Sequence, residues 1–261
     1  MLMVGCIVVL CDCFPLHPLP LSSPPNAGMP PPPPSARDRT RGVPLIMSAS
    51  LPETYKALRA EAVGESFRAV ATLQEVPMKL PDEGQVLIQV KYAGINGGCE
   101  TFRARGEAGF ARNKEAVGGF GLGAEGSGTV VRVGEGVTGL VPGDSVAFLS
   151  VTGGFAEYAL AREGSCVKVA QADAKAAALR ISGLTGYASV MDAGAATRGE
   201  TVLVTAAAGG TGQFAVQAAK RLGCKVIGTC GSEEKARMLC TLGCDTIVQH
   251  RKRAVGEVVV R

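Results

Sequence analysis

The chain has 261 residues, 46% of them hydrophobic, and a mean hydropathy of +0.21, so it is long enough for two globular domains. Its net charge of +4 is too small and scattered for a nucleic-acid surface, while 35 glycines against 5% aromatic residues favour an α/β architecture. Nine cysteines without a CxxC pair exclude the usual spacing of a metal site and favour a reducing compartment. We expect the cytoplasm, with the mitochondrion or peroxisome as alternatives.

Residues 1–46 differ in composition from the rest, because 11 of the 15 prolines lie there. Such a segment cannot build a packed core and predicts a disordered extension, or an untranslated stretch ahead of a start at Met47. Met1 to Phe14 is apolar but too short to span a bilayer, and it lacks a basic leader. The segment Arg37 to Arg41 leaves a transit peptide open.

A first domain is predicted over residues 47–170. Short β-rich runs are separated there by turn sequences such as Pro142-Gly-Asp144, and no helical pattern lies between them. This arrangement predicts a small β-barrel-like module. The predicted strands are Phe67 to Val76, Gln85 to Tyr92, Gly128 to Val133, Ser145 to Ser150 and Phe155 to Ala161.

A second domain is predicted over residues 171–261, with a strand that passes through glycines into a helix. Thr201 to Thr205 is β-branched or aliphatic, and Ala215, Ala219 and Leu222 recur at helical spacing. Such a unit aims free backbone N–H groups and the helix dipole at one point, where a phosphate can sit. It therefore predicts a dinucleotide site. The predicted contacts are Gly209, Gly210, Thr211, Gly212 and Gln213.

The end of the next strand, Lys225 to Thr229, distinguishes NADP from NAD. An NAD site needs an acidic side chain there to bind the ribose 2′-hydroxyl, whereas Ser232 and Lys235 suit a 2′-phosphate. Ser232 also fits the N-cap of the following helix, a compatible role, and Glu233 offers an alternative contact to a 2′-hydroxyl. We predict NADP.

Two stretches of the first domain, together with the glycine turn, carry a family resemblance. GQVLIQVKYAGIN from Gly84 and GAEGSGTVVRVGEGVTGLVPGD from Gly123 resemble the medium-chain dehydrogenase/reductase superfamily, within it the zinc-free quinone and enoyl reductases. The resemblance implies a GroES-like domain followed by a Rossmann domain. Zinc-dependent members place Cys where Asn96 stands and His where Ala124 stands, so we predict no metal site.

The resemblance also implies site residues outside the glycine turn. Asn96 is the catalytic candidate, because its amide can donate to a carbonyl oxygen that gains charge; capping of local backbone is the competing role. Thr185 is expected near the nicotinamide, and His250 near the ribose phosphate where relatives carry Tyr. Relatives also carry an acidic residue shortly after the asparagine position; here Cys99 is read at that place, beside one apparent insertion.

The function implied is NADPH-dependent hydride transfer to the C=C bond of an α,β-unsaturated ketone, or to a quinone. A homodimer is the only assembly we consider, and no nucleic acid or membrane span is expected. The alternative is a truncated, non-catalytic nucleotide-binding fragment, because residues 180–261 suffice only for the first half of a Rossmann domain. Both functions stay open at the level of sequence.

Overall fold

The computed structural model describes residues 50–150 and 152–252 and the backbone of Val9–Leu10. The predicted extension over residues 1–46 and the segment after residue 252 otherwise lie outside the described residues. The β-strands are β1 (Val9–Leu10), β2 (Thr54–Ala60), β3 (Thr72–Pro77), β4 (Gln85–Gly94), β5 (Phe120–Gly121), β6 (Glu125–Val133), β7 (Ser145–Leu149), β8 (Tyr158–Arg162), β9 (Cys166–Lys168), β10 (Thr201–Val204), β11 (Lys225–Cys230) and β12 (Thr246–Gln249).

The α-helices range from 4 residues in α1 and α3 to 13 in α5. The α-helices are α1 (Phe67–Val70), α2 (Gly97–Arg105), α3 (Ala174–Ala177), α4 (Leu184–Ala188), α5 (Gly210–Leu222) and α6 (Glu233–Thr241). Other helical turns are Ala108–Glu115 and Glu163–Ser165, both 3₁₀, and Leu179–Gly183 and Ser189–Ala193, both π. Within residues 50–150 and 152–252, no helix has the length and hydropathy of a membrane span.

The first half forms two open antiparallel sheets. Five strands pair in the order β8-β4-β6-β7-β9, and three in the order β3-β2-β5. Alternating apolar side chains of the larger sheet, among them Val86, Ile88 and Phe148, are fully buried in one core. Because the side chains of a strand alternate between faces, this single core fixes the register of the sheet.

One strand prediction in this half is wrong, and so is the expectation that no helix lies between the strands, because α2 follows β4. Phe67 to Val76 was expected to be a single strand, but it divides into α1 and β3. Ser66 caps the helix, since its hydroxyl oxygen accepts a hydrogen bond from the backbone N–H of Ala69 at 3.3 Å. A serine cap followed by four residues is enough to start a turn of helix in an otherwise β-rich run. The strand β2 was not predicted.

The second half forms a parallel sheet, with β1 paired antiparallel to its edge. β10, β11 and β12 pair in register, and α5 and α6 connect them. Val202, Val216, Val226 and Leu239 are fully buried between sheet and helices. The predicted α/β class is confirmed, while the domain boundary at residue 170 stays a prediction.

An ion pair links α5 to the residue just before β12. Lys220 Nζ lies 2.8 Å from Oδ2 of Asp245, which also accepts a hydrogen bond from the backbone N–H of Val226 at 2.6 Å. The lysine, followed by that backbone donor, holds the pKa of Asp245 below its usual 3.8. A carboxyl group whose pKa is lower in the folded than in the unfolded protein stabilises the fold at pH values above its pKa in the unfolded protein. This stabilisation is lost as the pH falls through the pKa of the group in the folded protein.

We therefore expect the wild type to lose stability between about pH 5 and about pH 3, and the loss to be smaller in Asp245→Asn. Urea unfolding at the two pH values measures the loss in the wild type and the variant. The effect is modest because both side chains are partly exposed. Asp82→Asn, at an exposed position, is the control. An unchanged acid dependence in Asp245→Asn would contradict the prediction.

Candidate functional site

The turn between β10 and α5 has the geometry expected of a phosphate cradle. Gly209 is the N-cap of α5 in an extended conformation, and the helix begins at Gly210. The N–H groups of the first helical residues have no partner within a helix and point outward at its N-terminus. The side-chain amide of Gln213 donates a hydrogen bond to the carbonyl oxygen of Ala208, within the turn, at 3.3 Å. Gln213 is thus placed to support the cradle.

Gly212 brings the helix against the turn. A Cβ atom at this residue would lie 2.5 Å from the carbonyl oxygen of Ala206 and 2.7 Å from Cα of Ala207. Both neighbours are backbone and cannot move aside. Gly212 therefore allows the close packing of helix and strand that the sequence predicted.

The segment with Thr185 packs on the same cradle. Gly186 lies so close to the first turn of α5 that a Cβ atom there would be 2.6 Å from the carbonyl oxygen of Thr211. Ser182 approaches Gly210 in the same way, its Oγ lying 2.9 Å from the position of a Cβ atom. Thr185 is half-buried in α4 between these two contacts. The structure thus brings Thr185 to the glycine turn.

The predicted ribose-phosphate residues gather at the carboxyl ends of β11 and β12. Ser232 caps α6, because its hydroxyl oxygen accepts a hydrogen bond from the backbone N–H of Lys235 at 3.4 Å. His250 Nε2 and Arg251 Nε each lie 3.6 Å from the position that a Cβ atom of Gly231 would occupy. Lys235, His250 and Arg251 are all exposed. Arg251 adds a fixed positive charge that the sequence prediction did not include.

The acidic alternative at this end is engaged elsewhere. Oε2 of Glu233 accepts a hydrogen bond from the side-chain amide of Gln249 at 2.8 Å and lies 3.6 Å from Nζ of Lys252. These two neighbours, Gln249 first, lower the pKa of this exposed carboxyl group. In this arrangement Glu233 is turned toward β12 and Lys252.

Asn96 lies at the N-terminus of α2, where its side chain makes no capping hydrogen bond. Its Nδ2 atom instead donates to Oε1 of Glu125 at 2.8 Å, while the backbone N–H of Ile181 donates to Oε2 at 2.7 Å. The expected alternative of local backbone capping is therefore wrong. Because a carboxylate only accepts, the amide must face Glu125 with its nitrogen, which leaves a second N–H and the amide oxygen for a ligand.

Two buried glutamates were missed by the sequence prediction. Glu125 is 1% and Glu100 4% exposed. A signal was present for Glu125, which is a single charge within the small-residue run Gly123 to Gly128. Glu100 directly follows Cys99, the residue read at the position where relatives carry an acid. Burial, and then the charge of Glu100, raises the pKa of the Cys99 thiol, which makes it a poor nucleophile.

We predicted no metal site because Asn96 and Ala124 stand where zinc-dependent members carry Cys and His. Asn96 is bound to Glu125, and Ala124 is buried without a ligating atom. Across residues 50–150 and 152–252, no three His, Cys, Asp or Glu side chains are grouped as metal ligands. Zinc independence stays a prediction.

Comparisons with known proteins match both halves of the chain. Residues 82–171 match the family model described as alcohol dehydrogenase GroES-like domain, and residues 210–260 the one described as zinc-binding dehydrogenase. A probable quinone oxidoreductase of Leishmania amazonensis is 37% identical, over 79% of this chain and 59% of its own length. Prostaglandin reductase-3 of Bos taurus is 34% identical, over 82% and 56%. The chain thus spans little more than half of these relatives.

Among solved structures, the quinone oxidoreductase of Escherichia coli complexed with NADPH is similar. It has a TM-score of 0.68 and 28% identity, over 78% of this chain and 61% of that one. The cofactor named there agrees with the predicted NADP. Together with the two family models, these relatives confirm the predicted family. The chain belongs to the medium-chain dehydrogenase/reductase superfamily, in its quinone and enoyl reductase branch.

Proposed function

We propose that this chain is an NADPH-dependent oxidoreductase that reduces an enone or a quinone without zinc. The observation that carries the proposal is the set of basic side chains that follow β11 and β12, on the same sheet as the glycine cradle: Lys235 on α6, and His250 and Arg251 near Gly231. Glu233, the acidic side chain considered as an alternative contact, is engaged by Gln249 and Lys252. The relatives, a quinone oxidoreductase and a prostaglandin reductase, support an activated double bond or a quinone as the substrate.

The cofactor fits the residues that are present. The side-chain-free turn at Gly209 and Gly210 leaves room for a pyrophosphate on the N-terminus of α5, and the basic side chains after Gly231 suit the 2′-phosphate. When bound, NADPH supplies the hydride. Thr185 is then the residue of α4 proposed to lie beside the nicotinamide.

Asn96 is proposed to hold the substrate oxygen. Glu125 binds one amide hydrogen and thereby fixes the plane of the amide. The second amide hydrogen can donate to a carbonyl oxygen, where negative charge accumulates during hydride addition. A donor that is already oriented costs no reorganisation at that step. Glu125 is then a positioning residue, because it acts on the substrate only through Asn96.

We expect Lys235→Ala to weaken the binding of NADPH about tenfold and to leave NADH unchanged, because an ion pair with a phosphate contributes about 1.5 kcal/mol or more. Calorimetric titration with both nucleotides measures this. Arg237→Ala, which removes an equal charge at another exposed position of α6, is the control and should change neither affinity. Equal losses for NADPH and NADH in Lys235→Ala would contradict the 2′-phosphate assignment.

A turnover assay separates the enzyme from the alternative, a nucleotide-binding fragment without activity. The protein is saturated with NADPH, and its oxidation is followed at constant protein concentration with an enone of prostaglandin type, with a quinone and without acceptor. The proposal requires oxidation that depends on the acceptor. Tight NADPH binding without such oxidation would instead favour the fragment.

A further inference from the structure

An apolar cavity lies beside α2, in the first half of the chain. It measures about 450 Å³, within the range of small-molecule sites. Its wall is formed by Leu58, Phe67, Ala93, Ile95 and Phe155, with Glu100 as the one charged lining residue. The rings of Phe67 and Phe155 meet edge to face, with centroids 6.0 Å apart. The lining is thus mostly apolar, and its polar side chains among the described residues are Glu100 and Thr101, whose hydroxyl donates to the carbonyl oxygen of Gly97.

Glu100 lines this cavity, and one of its two carboxylate oxygens has no hydrogen-bond partner among the described residues. Its side chain is buried, and Oε2 accepts a hydrogen bond from the backbone N–H of Gly123 at 2.9 Å. Oε1 is buried as well and has no hydrogen-bond partner within the described part of the chain. A buried polar atom without a partner is destabilising. A ligand with a hydrogen-bond donor would remove that cost.

The charge of Glu100 already has a neighbour. Nε of Arg103 lies 3.6 Å from Oε2, and its guanidinium group stacks on the ring of Phe110 at 4.5 Å. A cationic ligand would therefore meet a carboxylate that is already partly compensated, as well as the positive charge of Arg103. A neutral donor, such as a hydroxyl group, meets neither difficulty.

We infer that this cavity binds an apolar molecule carrying a hydroxyl group, which donates its hydrogen bond to Oε1 of Glu100. Ile95 and Gly97, the two neighbours of Asn96 in sequence, both line the cavity, so the ligand lies next to the proposed substrate contact. That this ligand is the oxidoreductase substrate or its reduced product rests on the proposed function. Binding itself needs no nucleotide.

The test compares para-propylphenol with para-propylanisole, which has the same shape but no donor. Calorimetry without nucleotide should show the phenol binding about tenfold more tightly to the wild type. Glu100→Gln preserves the volume and can still accept from Gly123, but it presents an amide N–H in place of Oε1. We expect this variant to bind the phenol about tenfold more weakly, with no loss of affinity for the anisole.

Two further variants keep the result unambiguous. Ala93→Leu, at an exposed position in the wall, fills the cavity and should weaken both ligands, while Glu107→Gln removes an exposed charge just after α2 and should change neither. Equal affinities of the wild type for the two ligands, or no binding of either, would overturn the inference. NADPH is titrated separately, so a failure of the proposed function would leave phenol binding intact.

Discussion

Replacing Glu125 with alanine is expected to destabilise the protein by about 3 kcal/mol. The side chain is buried, and it accepts hydrogen bonds from Asn96 on one side and from the backbone of Ile181 on the other. Removing it leaves two donors without acceptors, and each costs about 1–3 kcal/mol. The substitution also leaves a cavity under Gly94, where the backbone packs against the glutamate chain. Urea unfolding measures the loss.

Glu125→Gln keeps the volume of the side chain but changes its hydrogen bonding, so it separates these two contributions to stability. The amide oxygen can satisfy one donor, but its NH₂ group must face the other, so we expect about half of the loss. Glu83→Ala, at an exposed position, should be neutral. If Glu125 positions Asn96, then Glu125→Gln should also lower kcat more than it raises KM, which a purely structural role would not produce. A loss of stability no larger than that of Glu83→Ala would refute the assignment.

Gly212→Ala is the second substitution with a large expected effect, a loss of about 2 kcal/mol. At an exposed helix position alanine is favoured over glycine by about 1 kcal/mol, so helix propensity alone would predict that Gly212→Ala stabilises the protein. The backbone of Ala206 and Ala207 decides the outcome, because it lies within 2.8 Å of the new methyl group. The helix must move away from the turn, and NADPH affinity should fall together with the free energy of unfolding.

Gly210→Ala is the matched control for this substitution. It adds the same methyl group two residues earlier, where the one nearby group is the side chain of Ser182, and that can rotate away. We expect a change within about 0.5 kcal/mol. Both variants are compared by urea unfolding. If Gly212→Ala were as stable as Gly210→Ala, the close packing of α5 on its strand would not matter for stability.

Local sequence was sufficient to predict the parallel sheet and its glycine turn. An apolar strand, a turn of small residues and a helix-spaced apolar face each have a local physical cause, so their order along the chain predicts the unit. The serine cap of α6 was predictable for the same reason, because a cap needs only its own first turn. α1 is the counterexample, since one capped turn of four residues is too short to disturb a β-rich pattern.

What the sequence by itself determined about this protein is its α/β class, its family and the strand–glycine–helix unit. Only the tertiary structure decided which groups meet across long separations: the Asn96 amide with Glu125, Glu125 with the backbone N–H of Ile181, and His250 and Arg251 with the backbone near Gly231. Pairing of this kind depends on how sheets and helices pack, which no local pattern encodes. For the same reason a charged residue such as Glu100 reads as exposed in sequence, and only packing shows that it is buried beside an apolar cavity.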